Sequence, residues 1–392
     1  MRLDLLFPAL PPAPDGIGDH TARLAAELAR GHRVRVLTAQ EAWAPIPGAA
    51  VERVQIPGVA GAGQPLARAL GDDPPDWLVV QYNPFSYGRW GLNAALPRDL
   101  IRLRASGRPR VRLAVVVHEP FVPVDGWRNA VMTAWQRTQL AALGRAADLG
   151  LFSTEHWAER FEPWFSTTAH LPSGSNIPLA DGPDPAETRR QLGVEEGEVV
   201  LGLFGSAHPS RLLGHARAAV EAVNASGARP RVLYVGPHGD RVRDALGDAP
   251  AGRPLLDAGR LPPEAVSRHL AAMDLHLAPF RRGVSARRGS FMAGLAHGVA
   301  TASTRGEHTG PTLLQESGRS FALAPDGDPA AFARLAAGLV ADPARRRAMG
   351  EAGQSLFEKA YAWPRIARRL EDALAEATAF APVPGKLATS PT

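Results

Sequence analysis

The sequence predicts an α/β protein built from two doubly wound domains, each a mostly parallel sheet wrapped by helices. Three observations lead there. Short apolar, β-branched runs alternate with Ala/Leu/Arg-rich helices along nearly the whole chain, the pattern of βαβ units. At 392 residues the chain exceeds the usual size of one compact core. The alternation is also interrupted, at Ser166–Glu187 (STTAHLPSGSNIPLADGPDPAE), by a Pro/Gly/Ser-rich stretch with no periodicity, after which it restarts.

In the first half the expected strands are Arg2–Phe7, Val34–Thr38, Trp77–Gln81, Val111–His118 and Leu149–Ser153. Helices between them include Thr21–Arg30, with an apolar stripe at Leu24, Ala25 and Leu28, and Trp127–Ala147. In the second half strands are expected at Val199–Phe204, Arg231–Val235, Leu255–Asp257, Leu275–Ala278, Ala300–Ser303 and Phe321–Leu323. Helices there include Leu212–Asn224, Pro263–Met273, Pro329–Val340, Arg345–Tyr361 and Pro364–Thr378. The domains are placed at 1–170 and 187–362. A terminal helix over 363–380, striped by Ile366, Leu370, Leu374 and Ala377, is expected to cross back onto the first domain. A flexible tail follows over 381–392. Two such sheets facing each other place a ligand in the cleft between them.

Composition narrows the function. There is no cysteine, which removes disulfides, thiolate metal ligands and cysteine nucleophiles. The amino-terminal MRLDLLFPALPPAP is cut by Asp4 and then by prolines, a poor signal peptide, and no run approaches the ~18 apolar residues of a membrane span. A cytoplasmic protein is expected. Net charge is +5 and only Lys359 and Lys386 are lysines, so 42 of the 44 basic residues are arginine. With no block of five basic residues and no interleaving of aromatic and basic residues, no nucleic-acid partner is expected. The basic balance does favour weak peripheral attraction to anionic lipid headgroups at the inner membrane face.

The segment Phe280–Ser303, FRRGVSARRGSFMAGLAHGVATAS, joins an apolar strand to a glycine-punctuated loop, a helix and a second strand. Ser285 reads as the N-cap, with Ala286, Arg287 and Arg288 in the first turn, Gly289 and Ser290 next, and Gly298 past the end. Two arginines at the positive end of a helix are unfavourable unless an anion offsets them, and free N–H groups there point at such an anion. The spacing proposes an anion site, most simply a nucleotide diphosphate; two solvated arginines on a surface turn are the alternative. Gly205-Ser206-Ala-His-Pro-Ser-Arg211 and Gly236-Pro-His-Gly239 are further strand-end glycine loops, and Arg211 near a helix start repeats the argument.

In the first half, Asp15-Gly16-Ile-Gly18-Asp19-His20-Thr21 follows strand one and opens a helix. It fits a dinucleotide fingerprint poorly, because about nine residues separate the strand from Gly16 and the third glycine position is Thr21. His118 and Glu119 end an apolar strand and are placed to reach a ligand beyond its carboxyl end. Gln81, Tyr82 and Asn83 end another. The chain has no HExxH, EF-hand, Walker A or GxSxG motif, and its twelve histidines are scattered, so no metal site is expected.

Taken in order, these segments resemble the GT-B glycosyltransferases, and glycosyltransferase family 4 in particular, from about Arg2 to Leu374. PDGIGDHTARLAAELARGHRVRVLT looks like the family's opening loop and helix. HEP stands where the family has its His-containing loop, and LPSGSNIP resembles the entry to its second domain. LFGSAHPSRLLGHARAA and LHLAPFRRGVSARRGSFMAGLAHGVATAST resemble its diphosphate-binding and donor-binding regions. Two departures stand out. The E-x7-E glutamate pair of the family falls here on Ser285 and Ala293, so both carboxylates are absent. Its basic pair falls on Ser206 and Arg211, with one charge kept.

The resemblance implies a nucleotide-sugar donor held mainly by the second domain and an unidentified acceptor held mainly by the first. Transfer would retain anomeric configuration, with no cofactor and no metal. Gly16, Gly18, Ser206, Arg211, Gly236, Ser285, Arg287, Arg288, Gly289 and Ser290 are the donor-side residues. Asp19, His20, Gln81, Tyr82 and Asn83 lie on the acceptor side, and His118 and Glu119 are the catalytic candidates. A catalytically silent nucleotide- or partner-binding protein and a nucleotide-sugar epimerase stay open as alternatives.

Overall fold

A computed structural model describes residues 1–13, 15–41, 50–56, 63–71, 74–106, 111–182, 184–247 and 252–379. The tail 381–392, expected to be flexible, lies outside the described residues. The chain divides into two compact units. One comprises Met1–Ser153, Trp157–Leu171 and the carboxyl-terminal residues from Ile366; the other comprises Thr154–His156 and Pro172–Arg365.

The first unit holds a seven-stranded parallel sheet of β1 (Arg2–Leu6), β2 (Arg33–Thr38), β3 (Val51–Gln55), β4 (Trp77–Tyr82), β5 (Arg112–Val117), β6 (Leu149–Phe152) and β7 (Thr168–His170), in the order β3-β2-β1-β4-β5-β6-β7. Central strands are buried on both faces and so read as unbroken apolar runs: every residue of β4, WLVVQY, is buried. Asp4 is the polar exception in β1. It is 1% exposed and held by a two-pronged pair from Arg35, Nε to Oδ1 at 2.8 Å and Nη2 to Oδ2 at 2.6 Å. The helix Trp363–Ala379 buries Ile366, Ala367, Leu370, Leu374 and Ala377, a stripe at helical spacing. From Ile366 onward it belongs to the first unit, where Arg112 Nη1 donates to Ala377 O at 3.0 Å and His32 meets Glu371 at 3.1 Å.

The second unit holds β8 (Glu198–Phe204), β9 (Arg229–Val235), β10 (Leu256–Asp257), β11 (Leu275–Ala278), β12 (Thr301–Arg305) and β13 (Ala322–Pro325), all parallel, in the order β10-β9-β8-β11-β12-β13. In both sheets the winding reverses beside the first strand, between β1 and β4 and between β8 and β11. Such reversals open a crevice beyond the carboxyl ends of the strands.

Three features differ from the sequence expectation. Two edge strands escaped it: β3, whose VERVQ is only half-buried, and β7, three residues inside the Pro/Gly/Ser-rich stretch. Neither carries an apolar run. The first helix begins at Gly16 and not at Thr21, because Asp15 Oδ1 accepts from Ile17 N at 2.8 Å and Gly18 N at 2.9 Å. The expected loop of Gly16, Gly18, Asp19 and His20 is therefore helix. A Cβ on Gly18 would stand 2.6 Å from Ala9 O, so that glycine serves close packing. The third is the helix after β11, which spans Gly289–Ala296. Arg288 occupies the N-cap position, and Ser285 with Arg287 belongs to the turn before it.

His276 in β11 is fully buried, with no hydrogen-bond partner on either ring nitrogen among the described residues. A Cβ at Gly294 would collide with its Nδ1, so the glycine lets the helix pass. Burial, then the charges of Arg211 and His297, pull the His276 pKa down to about 3. The unfolded chain takes up this proton near 6.5. Between those values the unfolded state binds more protons, so stability present above pH 6.5 is lost as pH falls toward 3, at about 1.4 kcal/mol per pH unit. His276→Leu is expected to flatten the acid limb of stability against pH by about that slope, read from denaturant melts; a parallel limb would place the acid sensitivity elsewhere.

Candidate anion-binding site in the second unit

At the crevice between β8 and β11 lies a cavity of 330 Å³, within the size range of small-molecule sites. Its wall includes Arg211, Arg287 and Arg288, the turn Gly205–Ser206, His208, Ser210, Phe280 and the helix start Gly289–Ser290, with no carboxylate among the described residues.

Arg211 is the centre of it. Its side chain is 7% exposed, yet no Asp or Glu pairs with it among the described residues. Nη2 donates to Phe204 O at 2.5 Å and Ser290 Oγ at 3.3 Å, while Nε and Nη1 have no hydrogen-bond partner among the described residues. Burial pulls its pKa down to about 10, which leaves it charged at neutral pH. A buried guanidinium with donors left over costs free energy that a bound anion would return. Phe280, the second residue past β11, takes the guanidinium of Arg211 over its ring at 5.1 Å and that of Arg288 at 4.6 Å. Arg288 Nη1 also donates to Ser210 Oγ at 3.2 Å. Two cations on one ring repel each other, and negative charge between them relieves it. The field is felt at His308, where burial and then Arg287 hold the pKa at about 4.

The strand ends are built to hold this arrangement. Gly205 has φ 101°, a left-handed conformation that favours glycine, and a Cβ there would press Arg211 Nη2 at 3.2 Å and Ser290 Cβ at 3.3 Å. Tyr234 from β9 stands beneath. Its hydroxyl lies 2.9 Å from Gly205 O and 2.6 Å from Pro237 O, and its one proton serves either carbonyl. Gly236 does not line the cavity. It backs the wall, since a Cβ there would collide with Gly205 O. Ser285 is 2% exposed behind the turn, where its carbonyl accepts from Arg288 N at 3.1 Å, so its expected N-cap role is not realised. Phe280, Tyr234, His208 and Ser210 join the site although no motif in the sequence singles them out as site residues. Their position just past or beneath the ends of β8, β9 and β11 was the available signal.

In the first unit the structure brings together His20, Gln81 and His118. His118 Nε2 and Gln81 Oε1 are 2.7 Å apart, and the rings of His20 and His118 meet edge to face at 4.8 Å. Burial takes the pKa of His20 down to about 4, so it is neutral at physiological pH. Glu119 is half-buried beside them, and Asp19, also half-buried, has its pKa raised by burial. Two expected acceptor-side residues do other work. Tyr82 points into the core and stacks on Tyr87, with its hydroxyl pKa pushed up by burial. Asn83 caps the short helix Pro84–Tyr87, accepting from Phe85 N at 2.9 Å. Among the described residues no three His, Asp or Glu side chains converge as metal ligands.

No family model matches the chain, and no curated protein does. Solved structures do. Sucrose-phosphate synthase from Thermosynechococcus elongatus is 16% identical, with a TM-score of 0.74 over 97% of this chain and 100% of that one. HepE from Anabaena, in complex with UDP and glucose, is 16% identical with a TM-score of 0.68 over 96% and 100%. WaaG, a glycosyltransferase involved in lipopolysaccharide biosynthesis, is 16% identical with a TM-score of 0.63 over 96% and 100%. The two parallel-sheet Rossmann-like units are those of the GT-B fold.

If Arg211 waits for an anion, Arg211→Met should separate binding from stability. Removing the uncompensated buried charge is expected to leave the melting midpoint of the empty protein level or higher. Affinity for a nucleoside diphosphate should fall by ~1.5–3 kcal/mol for each charge-assisted hydrogen bond lost. Calorimetric titration paired with denaturant melts reads both; a large stability loss with unchanged affinity would make Arg211 a structural residue.

Proposed function

We propose that the chain is a glycosyltransferase taking its sugar from a nucleoside-diphosphate sugar, with the diphosphate in the arginine-lined cavity of the second unit. The observation that carries this is Arg211, charged and buried, with no carboxylate partner and two donors unused among the described residues, at the sheet reversal where such folds receive ligands. UDP and glucose in HepE support a donor of this class. As the bond from the anomeric carbon to the diphosphate oxygen breaks, charge grows on the leaving group. Arg211, Arg287, Arg288 and the N–H groups that open Gly289–Ala296 would stabilise it, oriented in advance. In this reading the guanidiniums do the work of a cation, so no metal or cofactor is required. His118 would hold the sugar or orient the acceptor, and transfer would retain configuration.

A catalytically silent nucleotide-binding protein is the second reading, and one observation favours it. Ser285 and Ala293, where the family's glutamates would stand, are both buried, at 2% and 0% exposure. Incubation with a panel of nucleotide sugars separates the readings. Sugar transfer, or slow donor hydrolysis, supports the enzyme, and the anomeric configuration of the first-formed product, read by NMR, decides retention. Binding without turnover supports the silent protein, and absence of nucleotide binding overturns both.

His118→Ala is expected to cut turnover by about 100-fold, the cost of losing a positioning contact, while the melting midpoint holds. Transfer rate and melting should be measured together. Unchanged turnover with a lowered midpoint would assign His118 to stability alone.

A further inference from the structure

Ten large apolar side chains are exposed among the described residues, and seven of them fall between positions 85 and 131 of the first unit. Trp127 is 73% exposed, Val124 65% and Trp90 62%. We propose that this face, formed by Phe85, Trp90, Leu92, Val124, Trp127 and Val131, docks on an anionic lipid bilayer. The inference goes beyond the donor reading and does not depend on it.

The patch is built and held. Trp90 has φ 61° and ψ 19°, a left-handed conformation rare for a bulky residue. Its carbonyl accepts from Trp135 Nε1 and Gln136 Nε2, both at 3.3 Å, and the next carbonyl, of Gly91, accepts from Gln139 Nε2 at 2.8 Å. A Cβ at Gly91 would collide with the Gln136 amide, so the turn that presents Trp90 is fitted to the helix Trp127–Ala146. The same helix holds the second arm. Gln136 Oε1 accepts from Val122 N at 2.9 Å, and Thr133 Oγ1 donates to Val122 O at 2.8 Å, two residues before the exposed Val124. Trp127 and Val131 lie one turn apart at its amino-terminal end.

Charge selects the occupant. Arg89 lies over the ring of Trp90 at 5.9 Å and Arg128 over that of Trp127 at 5.4 Å, and Asp125 is the one acidic residue between Val124 and Val131. Trp90 and Trp127 thus each carry a guanidinium. Indoles at headgroup depth with arginines at the phosphates match the boundary of a bilayer. Shallow apolar insertion and basic charge are the two signals that reversible anchoring needs. No helix among the described residues is long and apolar enough to cross a membrane, so the contact is peripheral.

Co-sedimentation of the full chain with vesicles of phosphatidylcholine, with and without phosphatidylglycerol, tests this. The wild type is expected on the anionic vesicles and to leave them in high salt. Arg89→Gln with Arg128→Gln should weaken partition roughly 30-fold. Trp90→Asn with Trp127→Ser should weaken it about tenfold, with melting midpoints showing that each variant folds. Absence of vesicle binding, or variants that bind like the wild type, would overturn the proposal. So would a wild-type dimer, seen by light scattering, that the tryptophan variants make monomeric, because the face would then belong to a second copy.

Discussion

The second unit is organised around a buried guanidinium, that of Arg211, which no carboxylate among the described residues neutralises. Arg211 stays charged because burial pulls its pKa down only to about 10. It rests on the face of Phe280 and donates to the carbonyl that ends β8, contacts from just past β11 and the end of β8, the strands flanking the sheet reversal. Everything near it makes room or holds position: the left-handed Gly205, the Tyr234 hydroxyl beneath that glycine, Gly236 behind it, and Ser290 at the start of a helix. An ion pair of ordinary strength would have satisfied the guanidinium and closed the site. Left open, it carries a cost that a bound anion would return, which would couple recognition to stability.

The fold was legible because both sheets are parallel and covered on two sides, which writes each central strand as an apolar run of four to seven residues. β4, β5 and β11 are of that kind. The edge strands β3 and β7 were not legible, since an edge buries too little to demand such a run. Helix starts were misplaced for another reason. A cap is a hydrogen bond, not a composition. Asp15 takes two N–H groups and draws Gly16 and Gly18 into the helix, while Ser285, the right residue type for a cap, is sealed behind a turn.

The site was half legible. Arginine beside glycine at strand ends pointed to Arg211, Arg287 and Arg288, and the structure gathers all three around one cavity. Phe280 was hidden because an aromatic after a strand reads as core, and its role appears only once two guanidiniums are seen over its ring. Tyr82 failed in the opposite direction: its place at a strand end suggested a ligand contact, yet the alternation of side chains turned it into the core. In the first unit His20, Gln81 and His118 converge although about sixty residues separate His20 from Gln81, because β1, β4 and β5 are neighbours.

Thermal unfolding of the wild type with three additives asks whether the arginine cavity recognises a diphosphate. UDP and inorganic diphosphate are each expected to raise the melting midpoint, with uridine leaving it unchanged, since the binding energy would come from anion and guanidinium. A midpoint raised by uridine but not by diphosphate, or unmoved by all three, would contradict recognition of the diphosphate.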